Sequence, residues 1–261
     1  MPTITRNGCD LYFESHGEGP ALVFAHGMGG SHLSWYQQIP YFVQRGRRPI
    51  AFDHRGFGSS RCAPEDWHPR EFPHDLFAIL DALDVERAAL VCQSMGGWTG
   101  LPAAIARPER VSGLVLCGTP GGLAIPEVAK AREEAARRIR AEGVRANAAL
   151  APDFPEREPE KAFLYDRLSA LNPGLAPEAL ARMAEPSAQV EVDALADYAV
   201  PTLVLSGSHD LLFPPDLLRA VADRIPGAEF VPFPGSGHST YFEQPARFNE
   251  VVASFLERLD P

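Results

Sequence analysis

Ser94, Asp210 and His238 are the residues of this chain whose types and placing suit covalent chemistry. A serine hydroxyl becomes a nucleophile when an imidazole takes its proton. The imidazole in turn needs a carboxylate to fix its tautomer and stabilise the imidazolium. Each of the three follows a short run that reads as a strand: Ser94 after Ala88–Cys92, Asp210 after Pro201–Ser206, and His238 after Glu229–Phe233. Around Ser94 the constraint is geometric. The run Arg87-Ala-Ala-Leu-Val-Cys-Gln-Ser-Met-Gly-Gly-Trp passes from an apolar strand into an alanine-rich helical segment closed by Arg107-Pro108. Only Gln93 to Gly97 make the reversal, which forces Ser94 into strained backbone and demands small neighbours. At that apex Ser94 has access, a rigid mount, and the N–H of Met95 aimed where an oxyanion would form. A second oxyanion donor is expected from His26-Gly27-Met28-Gly29-Gly30, namely the N–H of Met28. Cys92 stands where the G-x-S-x-G pattern opens with glycine; it is small and often buried, so it fits sterically.

The elements that must position these residues alternate between strand and helix. Asn7-Gly8 signals a hairpin pairing Thr3–Arg6 with Cys9–Ser15. Ala21–Ala25, Pro49–Asp53, Val111–Cys117 and Pro201–Ser206 read as buried parallel strands, and Glu229–Phe233 as another strand. Trp35–Arg45, interrupted at Pro40, Phe72–Leu83, Asp216–Arg224 and Pro245–Leu259 read as helices. Such alternation implies a mostly parallel sheet covered on both faces, with ligands at the carboxyl ends of its strands. Residues 123–197 break the rhythm with helical segments only. One carries a stripe Ala131, Ala135, Ile139 and the pairs Glu133–Arg137 and Glu134–Arg138, and the stretch reads as an inserted helical lid.

Composition narrows the classes. The chain is 45% hydrophobic and 22% charged, an ordinary globular balance, and its net charge of −10 argues against nucleic-acid binding. Cys9, Cys62, Cys92 and Cys117 lack C-x-x-C spacing and read as reduced core thiols, neither disulfides nor a zinc site. The first residues lack a signal-peptide core, and no window holds the ~18 apolar residues of a spanning helix. The expectation is a cytoplasmic protein with no membrane contact, no metal, no cofactor and a small-molecule substrate, as monomer or homodimer.

Taken together, the chain resembles the α/β-hydrolase superfamily over essentially its whole length. The resemblance rests on His26-Gly27, Asp53-His-Arg-Gly-Phe-Gly-Ser-Ser60, Ser94-Met-Gly-Gly97 and Pro108-Glu-Arg-Val111. It continues in Gly207–Asp210, and in Gly237-His238 followed by Glu243-Gln-Pro245. It implies an α/β fold with an eight-stranded sheet containing one antiparallel strand. The core would comprise 1–118 and 199–261, with a lid at 119–198 between the sixth and seventh strands. It also makes Asp53 and Arg55 a loop-bracing pair, and a serine at position 94 argues against epoxide hydrolase or dehalogenase chemistry.

The leading expectation is a serine hydrolase cleaving an ester or lactone through an acyl-enzyme. Trp35, Trp98, Phe213 and Tyr241 are candidate pocket residues beside Met28 and Met95, with Phe154, Phe163, Tyr165 and Met183 in the lid. Trp98 suits core packing equally well. Arg132 and Arg167 fit a solvated helix face better than a carboxylate site, and His26 and His209 fit structural hydrogen bonding. The alternatives are carbon–carbon bond hydrolysis of ring-cleavage products, cofactor-free oxygenation, and a triad-bearing receptor without efficient turnover. Histidine at the Met95 position would suit the oxygenation reading better. Fold alone does not choose among them.

Overall fold

The computed structural model describes residues 2–142, 148–172 and 177–259. Asn7 and Gly8 both take left-handed backbone, at φ 44° and 75°, which is the geometry of a two-residue hairpin turn. They join β1 (Thr3–Arg6) to β2 (Cys9–Ser15), with Thr3 opposite Tyr12 and Arg6 opposite Cys9. β2 pairs antiparallel with β4 (Arg48–Phe52). All later pairs are parallel: β3 (Ala21–Ala25) with β4 and with β5 (Ala88–Gln93), then β5 with β6 (Val111–Cys117), β7 (Thr202–Gly207) and β8 (Glu229–Phe233) in succession. This is the expected eight-stranded sheet, in the order β1-β2-β4-β3-β5-β6-β7-β8, with β2 as its one antiparallel strand.

Strand alternation divides the core between the two faces. Leu90 and Cys92 of β5 pack with Leu76, Leu101 and Leu218 from α2 (Phe72–Ala82), α3 (Gly97–Ala106) and α8 (Pro215–Arg224). Ala89 and Val91 pack with Phe42, Phe242 and Phe248 from α1 (Ile39–Val43), α9 (Thr240–Glu243) and α10 (Pro245–Glu257). The helix expected over Trp35–Arg45 is shorter. His32–Trp35 forms a 3-10 turn, and Pro40 lies in the first turn of α1, where its missing N–H leaves nothing unpaired.

Between β6 and β7 run α4 (Pro126–Glu142), α5 (Phe154–Arg157), α6 (Pro159–Ser169) and α7 (Pro177–Ala181). The β-pairing among the described residues here is a single bridge, Leu123 to Val190. α4 is tied to α8 by Glu127 and Arg224, 2.8 Å apart. Arg137 approaches Glu134, at 3.9 Å, where the sequence suggested Glu133. The side chains of Ala135, Arg138 and Ile139 lie outside the described residues. No helix among the described residues is long and apolar enough to cross a membrane.

One expectation is overturned. Cys9 and Cys62 form a disulfide, with Cα atoms 4.4 Å apart, while Cys92 and Cys117 remain free. The cause is tertiary: Arg61 pairs with Asp10 through mutual backbone bonds of 2.8 and 2.9 Å, which carries Cys62 onto the start of β2. With this pair bonded, cysteine usage no longer points to a reducing compartment. The two cysteines are 53 residues apart in sequence, and closing that loop restricts the unfolded chain, so Cys62→Ser should lower unfolding free energy by roughly 2–4 kcal/mol. Denaturant titration with and without reductant checks this. Wild type and variant should coincide once reductant is added, and a difference that persists would assign the loss to packing.

Candidate active site

Three described non-glycine residues have left-handed backbone: Asn7, Asp84 and Ser94. Asn and Asp tolerate that region through local hydrogen bonds, whereas Ser94, at φ 49°, holds it against strain of roughly 1–3 kcal/mol. It is held because Ser94 connects a wholly buried strand to a buried helix through one 3-10 turn, Ser94–Gly96, with Gly96 passing against the Ala25 carbonyl. The first N–H groups of such a turn have no acceptor within it, which leaves the Met95 amide available to an anion. Cys92 does not disturb the elbow: its sulfur packs over Gly100 of α3 and beside Leu114.

Asp210 and His238 meet. His238 Nδ1–H donates to Asp210 Oδ2 at 2.8 Å, and both residues are buried. The other carboxylate oxygen, Oδ1, accepts the N–H groups of Leu212 and Phe213 at 2.8 and 2.9 Å, which fixes the plane of the carboxylate. The Phe213 ring lies 5.7 Å from the imidazole, centroid to centroid. The histidine leans back across the sheet: a Cβ on Gly118, which follows β6, would lie 3.0 Å from His238 Nδ1. Its Nε2 is buried and has no hydrogen-bond partner among the described residues. With Nδ1–H given to Asp210, Nε2 is the ring nitrogen left with a lone pair to offer.

The loop after β3 is braced from several sides. His26 Nδ1–H donates to the Gly27 carbonyl at 2.8 Å, and its Nε2 accepts the His54 N–H at 3.0 Å. Burial pushes both imidazoles below their ordinary pKa and keeps them neutral. Gln93, only 4% exposed, presses on the same loop; a Cβ on Gly27 would come within 1.9 Å of its Oε1. From the far side Asn172 donates to the Gly29 carbonyl and accepts the Gly58 N–H, both at 2.8 Å. The Met28 side chain is exposed.

The candidate pocket residues separate. Met95 and Trp98 join Phe57, Trp67 and Phe72 in one apolar cluster, with Phe213 and Met183 packed at its edge. Trp35 and Tyr241 instead pack on each other, 4.6 Å apart, in the core beneath α1 and α9. Asp53 and Arg55 are not partners: Asp53 accepts from His32 and Ser59, while Arg55 makes a two-pronged pair with Asp75 at 2.7 and 2.6 Å. The His209 side chain is exposed. Asn172, and the contacts of Gln93 and of Glu243, which accepts the N–H of Gly237 beside His238 at 2.9 Å, escape a reading of the sequence. Their roles depend on contacts made across the fold.

The sheet order, the strained serine and the buried Asp–His pair define a hydrolase-type α/β architecture. Residues 20–245 match the family model described as the alpha/beta hydrolase fold, and the chain belongs to that family. It is 32% identical to 2-hydroxymuconate semialdehyde hydrolase of Pseudomonas sp. strain CF600, over 98% of this chain and 94% of that one. Among solved structures it resembles Est816, described as an N-acyl homoserine lactone degrading enzyme, at 30% identity and a TM-score of 0.80, covering 97% of this chain and 100% of that one. It also resembles a thermophilic esterase from Thermogutta terrifontis, at 27% identity and a TM-score of 0.81 with both chains covered fully.

Burial pushes the Cys92 thiol well up and that of Cys117 up to about 12. Neither should react with iodoacetamide in the native protein near neutral pH, and both should react after denaturation, as counted by intact mass. Native labelling of Cys92 would show that the elbow opens.

Proposed function

We propose that the protein is a serine hydrolase that cleaves a carboxylic ester or lactone of a small to medium, largely apolar substrate through an acyl-enzyme. The observation that carries the reading is the buried His238–Asp210 pair with its free Nε2, set over the end of β6, the strand beside the one that bears a strained Ser94. In this reading Ser94 Oγ attacks the carbonyl carbon as Nε2 takes its proton, and Asp210 stabilises the resulting imidazolium. The N–H groups of Met95 and Met28 receive the oxyanion, each worth about 3–4 kcal/mol of barrier. His238 then returns the proton to the leaving oxygen, and a water activated by the same nitrogen releases the acid.

The apolar cluster around Met95 and Trp98, with Phe213 at its edge, supports an apolar substrate. The helical stretch 119–198 serves as the lid, which the contacts of Asn172 with the loop after β3 support. Esterase and lactone-degrading relatives point the same way. The 2-hydroxymuconate semialdehyde hydrolase relative keeps carbon–carbon hydrolysis as the second reading.

Fluorophosphonate labelling followed by intact mass, with a panel of p-nitrophenyl esters and lactones, tests this. Wild type should gain one adduct and turn over, while Ser94→Ala should do neither and keep its fold. Asp210→Asn should lose on the order of 10³–10⁴ in kcat, because the imidazole then sits in the wrong tautomer. Turnover retained by Ser94→Ala overturns the assignment. Labelling without turnover of any ester or lactone favours the carbon–carbon reading.

A further inference from the structure

Glu243 ends α9, one turn beyond His238, and is buried. Its two bonds go to backbone amides. Oε1 accepts the N–H of Gly237 at 2.9 Å, and Oε2 accepts the N–H of Ala151 at 3.2 Å. Gly237 immediately precedes His238, whereas Ala151 belongs to the helical stretch between β6 and β7, just before α5. Three further bonds cross the same seam, one of them from the Arg157 guanidinium to the Gly235 carbonyl at 3.2 Å. The Ser239 N–H donates to the Ala149 carbonyl at 3.0 Å, and the Ser239 and Tyr165 hydroxyls lie 2.9 Å apart. Leu150, Ala151 and Phe154 share a buried cluster with Tyr241 and Phe242, so the inserted stretch lies directly behind the histidine loop.

We propose that Glu243 latches this seam. It is a positioning residue that ties the loop bearing His238 to segment 149–151, so the base is held in place only while that part of the inserted stretch is docked. The proposal rests on the serine-hydrolase reading of the site.

The chemistry favours an ionised latch. A carboxylate accepts one N–H on each oxygen, whereas its acid turns one of them into a donor facing another donor. Burial pushes the Glu243 acid up to about 7, against the two amides and Arg157, with Asp153 adding to the rise. Tyr165, on α6, also faces it. Its ordinary value is 4.5, so from there to about 7 the folded chain keeps a proton that the unfolded chain has released. Stability attributable to Glu243 therefore falls as pH rises through that window, while the same deprotonation tightens the two bonds. Global stability and local fastening should move in opposite directions.

The test compares wild type, Glu243→Gln and Glu243→Ala as full chains. Hydrogen–deuterium exchange is followed in 149–151 and 237–239 at about pH 6 and about pH 8, corrected for intrinsic rates, and p-nitrophenyl butyrate hydrolysis is measured across pH. Wild type should exchange faster in both segments at the lower pH. The Gln variant keeps one acceptor, so it should lose that pH difference and exchange about 3–10-fold faster at the higher pH, the worth of one hydrogen bond. Its kcat should fall by a similar factor with KM within about twofold, and its acid limb should show one ionisation fewer than wild type. The Ala variant should lose more. Wild-type exchange in both segments of a folded Gln variant overturns the latch, and so does loosening of one segment alone. Wild type that hydrolyses no ester would end the hydrolase reading, and the exchange measurement would still decide the latch.

Discussion

Neighbouring strands of a sheet lie ~4.8 Å apart, so groups mounted after β7 and β8 start about 10–15 Å from one mounted after β5. Acid–base chemistry needs hydrogen-bond distances. That mismatch shapes the carboxyl end of this sheet. The loop after β8 folds back over its neighbours until His238 lies above Gly118, beyond the end of β6, next to the strand that carries Ser94. The loop after β7 turns tightly enough for Leu212 and Phe213 to grip one carboxylate oxygen of Asp210 and leave the other for the imidazole. That loop is held from two sides: the His209 N–H donates to the Ser236 carbonyl from the loop after β7, and Gly237 and Ser239 bond to Glu243 and segment 149–151.

Ser94, the proposed nucleophile, meets the opposite demand, since its backbone is pinned. Its left-handed backbone is stable only because β5 is buried on both faces and α3 starts with no intervening loop. The neighbouring loop after β3 is fixed by His26 from within, Gln93 from below and Asn172 from the inserted stretch. Buried neutral histidines suit this bracing, because each ring nitrogen of His26 has a defined backbone partner and carries no charge to solvate. Rigidity at the elbow and tethering at the histidine loop are therefore separate mechanical problems, solved by different residues.

The fold was legible because its signals are local. Asn7-Gly8 specifies a turn by itself, and the buried runs of β3, β5 and β7 are continuous apolar segments that few other contexts need. The candidate nucleophile, acid and base were legible for a related reason: each follows a strand end, and the sheet brings strand ends together. What failed depended on contacts distant in sequence. Nothing around Cys62 announces that Arg61 pairs with Asp10. Nothing around Arg55 names Asp75 as its partner. Trp35 lies close in sequence to the loop after β3, yet its side chain turns to Phe24 and Tyr241 in the core. Sequence places a residue near a site; packing decides which way it faces.

Cys92 shows the limit of reading a motif letter by letter. A glycine there is usually understood as room for the helix that follows the nucleophile to cross its strand closely. Here the strand residue has a side chain, and the room comes from the helix, where Gly100 leaves its Cβ position empty against Cys92 Sγ. A Cβ at 100 would lie 2.5 Å from that sulfur, so the two positions share one volume, and either can hold the side chain while the other stays bare. The elbow constrains the sum of two volumes at a crossing point. A strained Ser94 with cysteine at position 92 satisfies that constraint as fully as the usual glycine would.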